Sequence, residues 1–180
     1  FANTAVGQSA LQINTTGASN VAVGHNTLDA NTTGGTNTAV GKSALSDNTT
    51  GDTLVAVGVN ALATNTTAAD NVAVGVNALY LTTTGANNTA IGKDALKVNT
   101  TGAQNTAVGG LAGDATTTGT ENSSLGYWSL SNNTTGAYNT ALGSRALTAH
   151  HRVKQHRSRL SGITRKHHRR NKYRSWCSIR

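Results

Sequence analysis

The chain has 180 residues, room for one domain, and a formal net charge of +8. With one Cys it has no disulfide framework, and no apolar run reaches the ~20 residues of a membrane-spanning helix. A pI this basic would ordinarily point to a polyanion partner, but the charge is unevenly placed. Residues 1–149 hold four Lys or Arg against all seven acids, a net of −3. Residues 150–180 hold the other eleven Lys and Arg, five of the six His, Cys177 and no acid. Two compositions meet near residue 149.

The first is a repeat. Gly7, Gly24, Gly41, Gly58, Gly75, Gly92, Gly109, Gly126 and Gly143 stand 17 residues apart, each closing a segment such as NTAVG, NVAVG, NTAIG or NTALG. A leucine follows four residues later in every unit except at Gly113, and then comes NTTG or a variant of it. The apolar runs are short and β-branched, flanked by Gly and Asn, which suits strands. No 3.6-residue stripe is long enough for a buried helix face. Seventeen residues are too few for helix-pair or leucine-rich repeats. They suit one coil of an all-β parallel β-solenoid, a β-roll of about nine coils over 1–149. Strands are expected at unit positions 3–6 and 9–12, with glycines at the bends. Stacked at about 4.8 Å, nine coils make a rod of roughly 40 Å. The absence of proline fits continuous backbone ladders.

Three rows follow from the period. Val6, Val23, Val40, Val57, Val74, Ile91, Val108, Leu125 and Leu142 are expected to stack inward as a core row, with the leucines and unit position 4. By strand alternation, Ala5, Ala22, Ala39, Ala56, Ala73, Ala90, Ala107 and Ala141 then point outward, a surface on which another chain packs closely. Asn14, Asn31, Asn48, Asn65, Asn99 and Asn133, which open NTTG, are expected to stack as an amide ladder. Burial of one Val and one Leu per coil falls well short of the entropy of ordering 17 residues. A slender rod therefore gains from oligomerisation, and a three-fold assembly is expected.

These segments, followed by an alanine, resemble the head repeats of trimeric autotransporter adhesins of the YadA type, and are similar to repeats in phage tail-fibre proteins. The resemblance covers residues 1–149, with a unit lengthened by the NTTG bend. It implies a left-handed parallel β-roll, a homotrimer, an extracellular, cell-surface or virion-fibre location, and attachment to host surface molecules or glycans.

The tail keeps the period. His-His-Arg begins at 150 and again at 167, the next two slots of the NTTG asparagine. Asn-Thr-Thr-Gly encoded AAC ACC ACC GGN and read two bases late gives CAC CAC CGG, which is His-His-Arg. Arg152 to Arg159 likewise fit Gly-Ser-Asn-Asn-Thr-Ala-Val-Gly in the neighbouring frame. Residues 150–180 therefore read as further repeats translated out of frame, and a segment so charged is expected to be disordered. A basic arm contacting nucleic acid non-specifically, or a His-rich metal tract, would explain the composition but not the echo. No specific nucleic-acid partner is expected.

Other motifs fall away. VGKSAL at 40–45 lacks the first glycine of a phosphate-binding loop at the required spacing, and Lys42 occupies a variable slot. The acids do not recur in phase, which argues against a calcium-binding roll. His25 is alone in its region, so no catalytic residue, metal site or cofactor site is expected, and the chain does not read as an enzyme. An ice-binding solenoid would present flat threonine rows, whereas the paired threonines of NTTG sit in a bend. The chain opens on Phe1, without Met, signal peptide or capping units, and is expected to be a piece of a longer protein.

Overall fold

The computed structural model describes residues 2–148. They form an all-β parallel solenoid with no helix. Nine three-residue strands succeed one another: β1 (Thr4–Val6), β2 (Val21–Val23), β3 (Thr38–Val40), β4 (Val55–Val57), β5 (Val72–Val74), β6 (Thr89–Ile91), β7 (Thr106–Val108), β8 (Ser123–Leu125) and β9 (Thr140–Leu142). They lie side by side in sequence order in one parallel sheet. The register is one full period, Ala22 against Ala39 and Ala73 against Ala90. The expectations for residues 150–180 lie outside the described residues.

Each coil carries one strand, not two. The second expected strand, at positions 9–12, is replaced by turns, because positions 9 and 11 are left-handed in every coil: Ser43 has φ 56° and Leu45 φ 53°. Two turns follow each strand, closed by Ala44 N–H to Gly41 O at 3.2 Å and Asn48 N–H to Leu45 O at 3.3 Å. Coil-to-coil bonding does not stop there. Leu45 N–H reaches Ala61 O at 3.0 Å, and Thr49 N–H reaches Thr66 O at 2.9 Å. Identical coils in register can ladder at any dihedral, provided every coil adopts the same one. Backbone groups are thus paired on all sides without extended backbone.

The inward and outward rows are the reverse of the expectation. Ala22, Ala39, Ala56, Ala73, Ala90 and Ala107 are wholly buried, and Ala141 nearly so. They meet a second alanine row (Ala44, Ala61, Ala78, Ala95, Ala112) and the leucines Leu28, Leu45, Leu62, Leu79 and Leu96. Only Ala5, in the first described coil, is open. Val6, Val40, Val57, Ile91, Leu125 and Leu142 are exposed, while Val23, Val74 and Val108 are half-buried. Position 4 lies on their side. The reason is volume: a 17-residue coil already filled by one leucine leaves methyl-sized space on the strand side. Valine is the more hydrophobic residue, but it does not fit.

Glycine at position 7 is fixed by geometry. Gly58 has φ 135°, and a Cβ there would lie 2.6 Å from the carbonyl oxygen of Gly75 in the next coil.

Candidate functional site

The outer face of the nine-strand sheet runs the length of the described coils. Its centre is the exposed valine row, flanked by position 4, which alternates Thr38, Val55, Val72 and Thr89. Position 8 extends it with exposed Val59 and Val76. The strands present these side chains because their parity is set by the alanines sealed beneath. The alanine row cannot serve as a surface for another chain, since it meets no solvent.

The polar interior is built from two asparagine columns. The expected one runs unbroken over four coils. Asn31 Nδ2 donates to Asn14 Oδ1 at 2.7 Å, Asn48 to Asn31 at 2.9 Å, and Asn65 to Asn48 at 2.7 Å. Thr82 then interrupts it, and Thr116 interrupts it again, so Asn65 Oδ1 and Asn99 Oδ1 lack donors. Asn99 and Asn133 instead donate to Gly102 O and Gly136 O of their own coils.

The sequence reading missed the other column, at position 3, though the asparagine opening NTAVG signalled it. Asn88 Nδ2 spans its coil to Gly102 O at 2.9 Å, while its Oδ1 accepts the backbone N–H of Asn105 at 2.9 Å. Asn20, Asn37, Asn105 and Asn122 repeat the pattern. The coil of 52–68 departs from it twice. Leu54 replaces the asparagine and Ala68 the glycine, both buried, so that an apolar pair takes over from a hydrogen-bonded one within the same coil.

Each NTTG threonine has its own setting. At position 15 the hydroxyls donate to the next coil's carbonyl, as Thr32 to Thr49 O and Thr49 to Thr66 O, both 3.0 Å. At position 16, Thr33, Thr50, Thr67 and Thr101 are exposed. Of the two NTTG rows, position 16 is the more exposed.

Ionisable groups do not assemble into a reaction centre among the described residues, and no group of three metal-ligating side chains occurs there. Lys42 is solvent-exposed in its bend. Burial pushes the carboxyls of Asp29 and Asp114 above their ordinary value, and one oxygen of each has no hydrogen-bond partner. Burial acts the same way on Asp94. There the hydrogen bond from Asn77 and the pairing with Lys97 at 3.3 Å outweigh it and hold the carboxyl below the usual range. Asp94 ends a short position-9 chain, Asn60 to Asn77 at 3.2 Å and Asn77 to Asp94 at 3.0 Å.

Beyond Asp94 the position-9 column changes character. It continues as Leu111, Trp128 and Arg145, with φ of 58°, 56° and 58°. Tyr127, at position 8, is tilted 58° to Trp128 with centroids 6.5 Å apart, and the Arg145 guanidinium sits 5.4 Å from the Trp128 ring centre. No protein-family model, curated protein or solved structure matches the chain.

Proposed function

We propose that this chain is a structural and adhesive repeat domain, acting outside the cell or on a virion. In this reading three copies associate through the outward valine row, not the alanine row, and present the remaining faces to a surface. The observation that carries it is the unbroken apolar row along the sheet, with Val40 and Val57 36% exposed, Ile91 41% and Leu125 49%. A row of this kind, repeated at every coil and bordered by Thr, Lys and Asn, marks an association surface. Its flat parallel geometry matches a second copy of itself strand for strand. The repeat's resemblance to adhesin heads and tail fibres, and a described domain without a cluster of reactive groups, support the same reading.

Sedimentation equilibrium on the full chain tests the assembly: a species of three chain masses is expected. The pair Val57→Lys and Ile91→Lys should return it to one chain mass, with the far-ultraviolet circular dichroism unchanged, because both side chains already reach solvent. A wild-type monomer at tens of micromolar would defeat the trimeric arrangement. Retention of the protein on intact cells, against an inert protein of equal charge, tests adhesion.

A further inference from the structure

We propose that Tyr127, Trp128 and Arg145 form a stacking platform for a pyranose ring, which makes the eighth and ninth coils the glycan-reading part of the rod. This rests on the adhesive reading above and gives it a site.

Three independent observations converge there. The first is a break in the residue pattern at a left-handed position. Position 9 is left-handed in every coil, and the earlier coils fill it with Ser9, Asn26, Ser43, Asn60, Asn77 and Asp94. Asn and Asp tolerate that conformation through local hydrogen bonding. A bulky residue there is an outlier. Position 11 holds leucines at positive φ, wholly buried at Leu45 and Leu62, and position 2 is left-handed and exposed at Thr36, Gln104, Glu121 and Tyr138, so the conformation belongs to the coil itself. What sets the last coils apart at position 9 is the residue type: Trp128, 41% exposed, and exposed Arg145 stand where those earlier coils keep short polar side chains.

The second is clearance. Tyr127 stands between the two smallest residues of its column, Gly110 and Ser144, where other coils carry Gln8, His25, Lys42 and Lys93. A Cβ on Gly110 would lie 3.5 Å from the tyrosine ring, so the ring lies across the glycine, and half of the Tyr127 surface remains in solvent. The third is chemical. Tyr127 is 52% exposed and offers a ring face to the weakly positive C–H face of a sugar, with the exposed part of Trp128, whose one face carries the Arg145 guanidinium, set at an angle beside it. The guanidinium over Trp128 brings planar N–H donors suited to hydroxyls or a carboxylate, and pairs with no carboxylate among the described residues. Coil-to-coil bonds, Trp128 N–H to Gly110 O and Arg145 N–H to Tyr127 O at 2.9 Å, hold the platform in place before any ligand arrives. A nucleic-acid base could stack on the same rings, but the described residues of the eighth and ninth coils hold one cation, Arg145, against Glu121, and so no row of cations to follow a phosphate chain.

The test returns the platform to the pattern of the other coils. Trp128→Asn and Tyr127→Val are introduced singly in the full chain. Binding is read on an array of lactose, chitobiose and sialyllactose glycans and in solution by saturation-transfer NMR with the saccharides that bind. Wild type should bind at least one saccharide, and Trp128→Asn should weaken it at least ten-fold, with unchanged sedimentation and a raised thermal midpoint, since Asn suits the left-handed position. A tryptophan kept only for packing would lower the midpoint when removed, and that result overturns the proposal. So does equal saccharide binding by both variants, oligothymidylate binding lost with Trp128 while saccharides are ignored, or an oligomeric state that shifts with Trp128. If wild type and Trp128→Asn adhere to cells equally, the platform fails and the adhesive reading stands. If wild type neither adheres to cells nor binds a saccharide, both fail.

Discussion

A buried asparagine stabilises a fold only when both ends of its amide are satisfied, and Asn88 meets that condition across two coils. Asn88→Ala would strand the Asn105 N–H, at a cost of about 1–3 kcal/mol, while the Gly102 carbonyl keeps its bond from Asn99. Urea unfolding should show a lower midpoint at unchanged slope. Asp114 presents the opposite case. Its carboxyl is held above the 3.8 of an unfolded chain by burial, so the folded state binds its proton more tightly. Its contribution is therefore complete below pH 3.8 and is lost as pH rises through the folded value. Asp114→Asn should raise the thermal midpoint at pH 7, leave it nearly unchanged at pH 3.5, and flatten the profile between. Equal shifts at both pH values would show that the carboxyl's charge is not what matters.

At the scale of one coil, the unit is a single strand and a series of bends whose hydrogen bonds belong to its neighbours. Thr82 breaks the buried NTTG amide column, leaving Asn65 Oδ1 without a donor. Thr82→Asn should close the gap and stabilise by about 1 kcal/mol, raising the thermal midpoint by about 2–4 °C. Gly58→Ala should destabilise by at least about 2 kcal/mol, because glycine alone holds that backbone conformation and the next coil's carbonyl occupies the methyl's place. Both are read by thermal melts followed by circular dichroism. The period, the parallel stacking, the bend glycines and the NTTG asparagines were legible in the sequence, since each is a residue type recurring at a fixed interval. Strand parity was not. In a three-residue strand such as Val-Ala-Val, one alanine and two valines compete for the interior, and hydrophobicity favours the valines. Interior volume decides, and it depends on the leucine contributed by the far side of the coil. The second strand was misjudged for a related reason. The leucine at position 11 gives no sign of a left-handed backbone, which stacking imposes on it, and the Ser, Asn and Asp of position 9 are the one residue-level hint of the turn. The aromatic platform was hidden by the same focus on what recurs, because its residues stand where the repeat departs from itself.

Across the whole molecule, contacts run only between consecutive strands, β1 to β2 through β8 to β9. The stability of such a stack is a sum of coil and interface terms, with no distant element closing the structure among the described residues. Assembly through the valine row would add a second dimension to this one-dimensional order. The Val57→Lys and Ile91→Lys pair should then lower the unfolding midpoint through the loss of partners, and that loss should vanish on dilution of the wild type to its own dissociated state. A midpoint independent of wild-type concentration would separate assembly from stability.

The one-period register has a further consequence, for how such a chain can change length. Residues 60–76 hold one turn of the helix-like path, and their removal would bring Val59 against Asn77, the same junction that joins Val76 to Asn77 now. Every amide column, glycine bend and methyl-lined wall would meet its counterpart again. A gain or loss of 17 residues is therefore a lengthening or shortening of the rod by one step, whereas a change of one residue shifts every column beyond it. The length of the rod can thus be altered by whole coils while its cross-section and the Tyr127–Trp128 pair stay as they are.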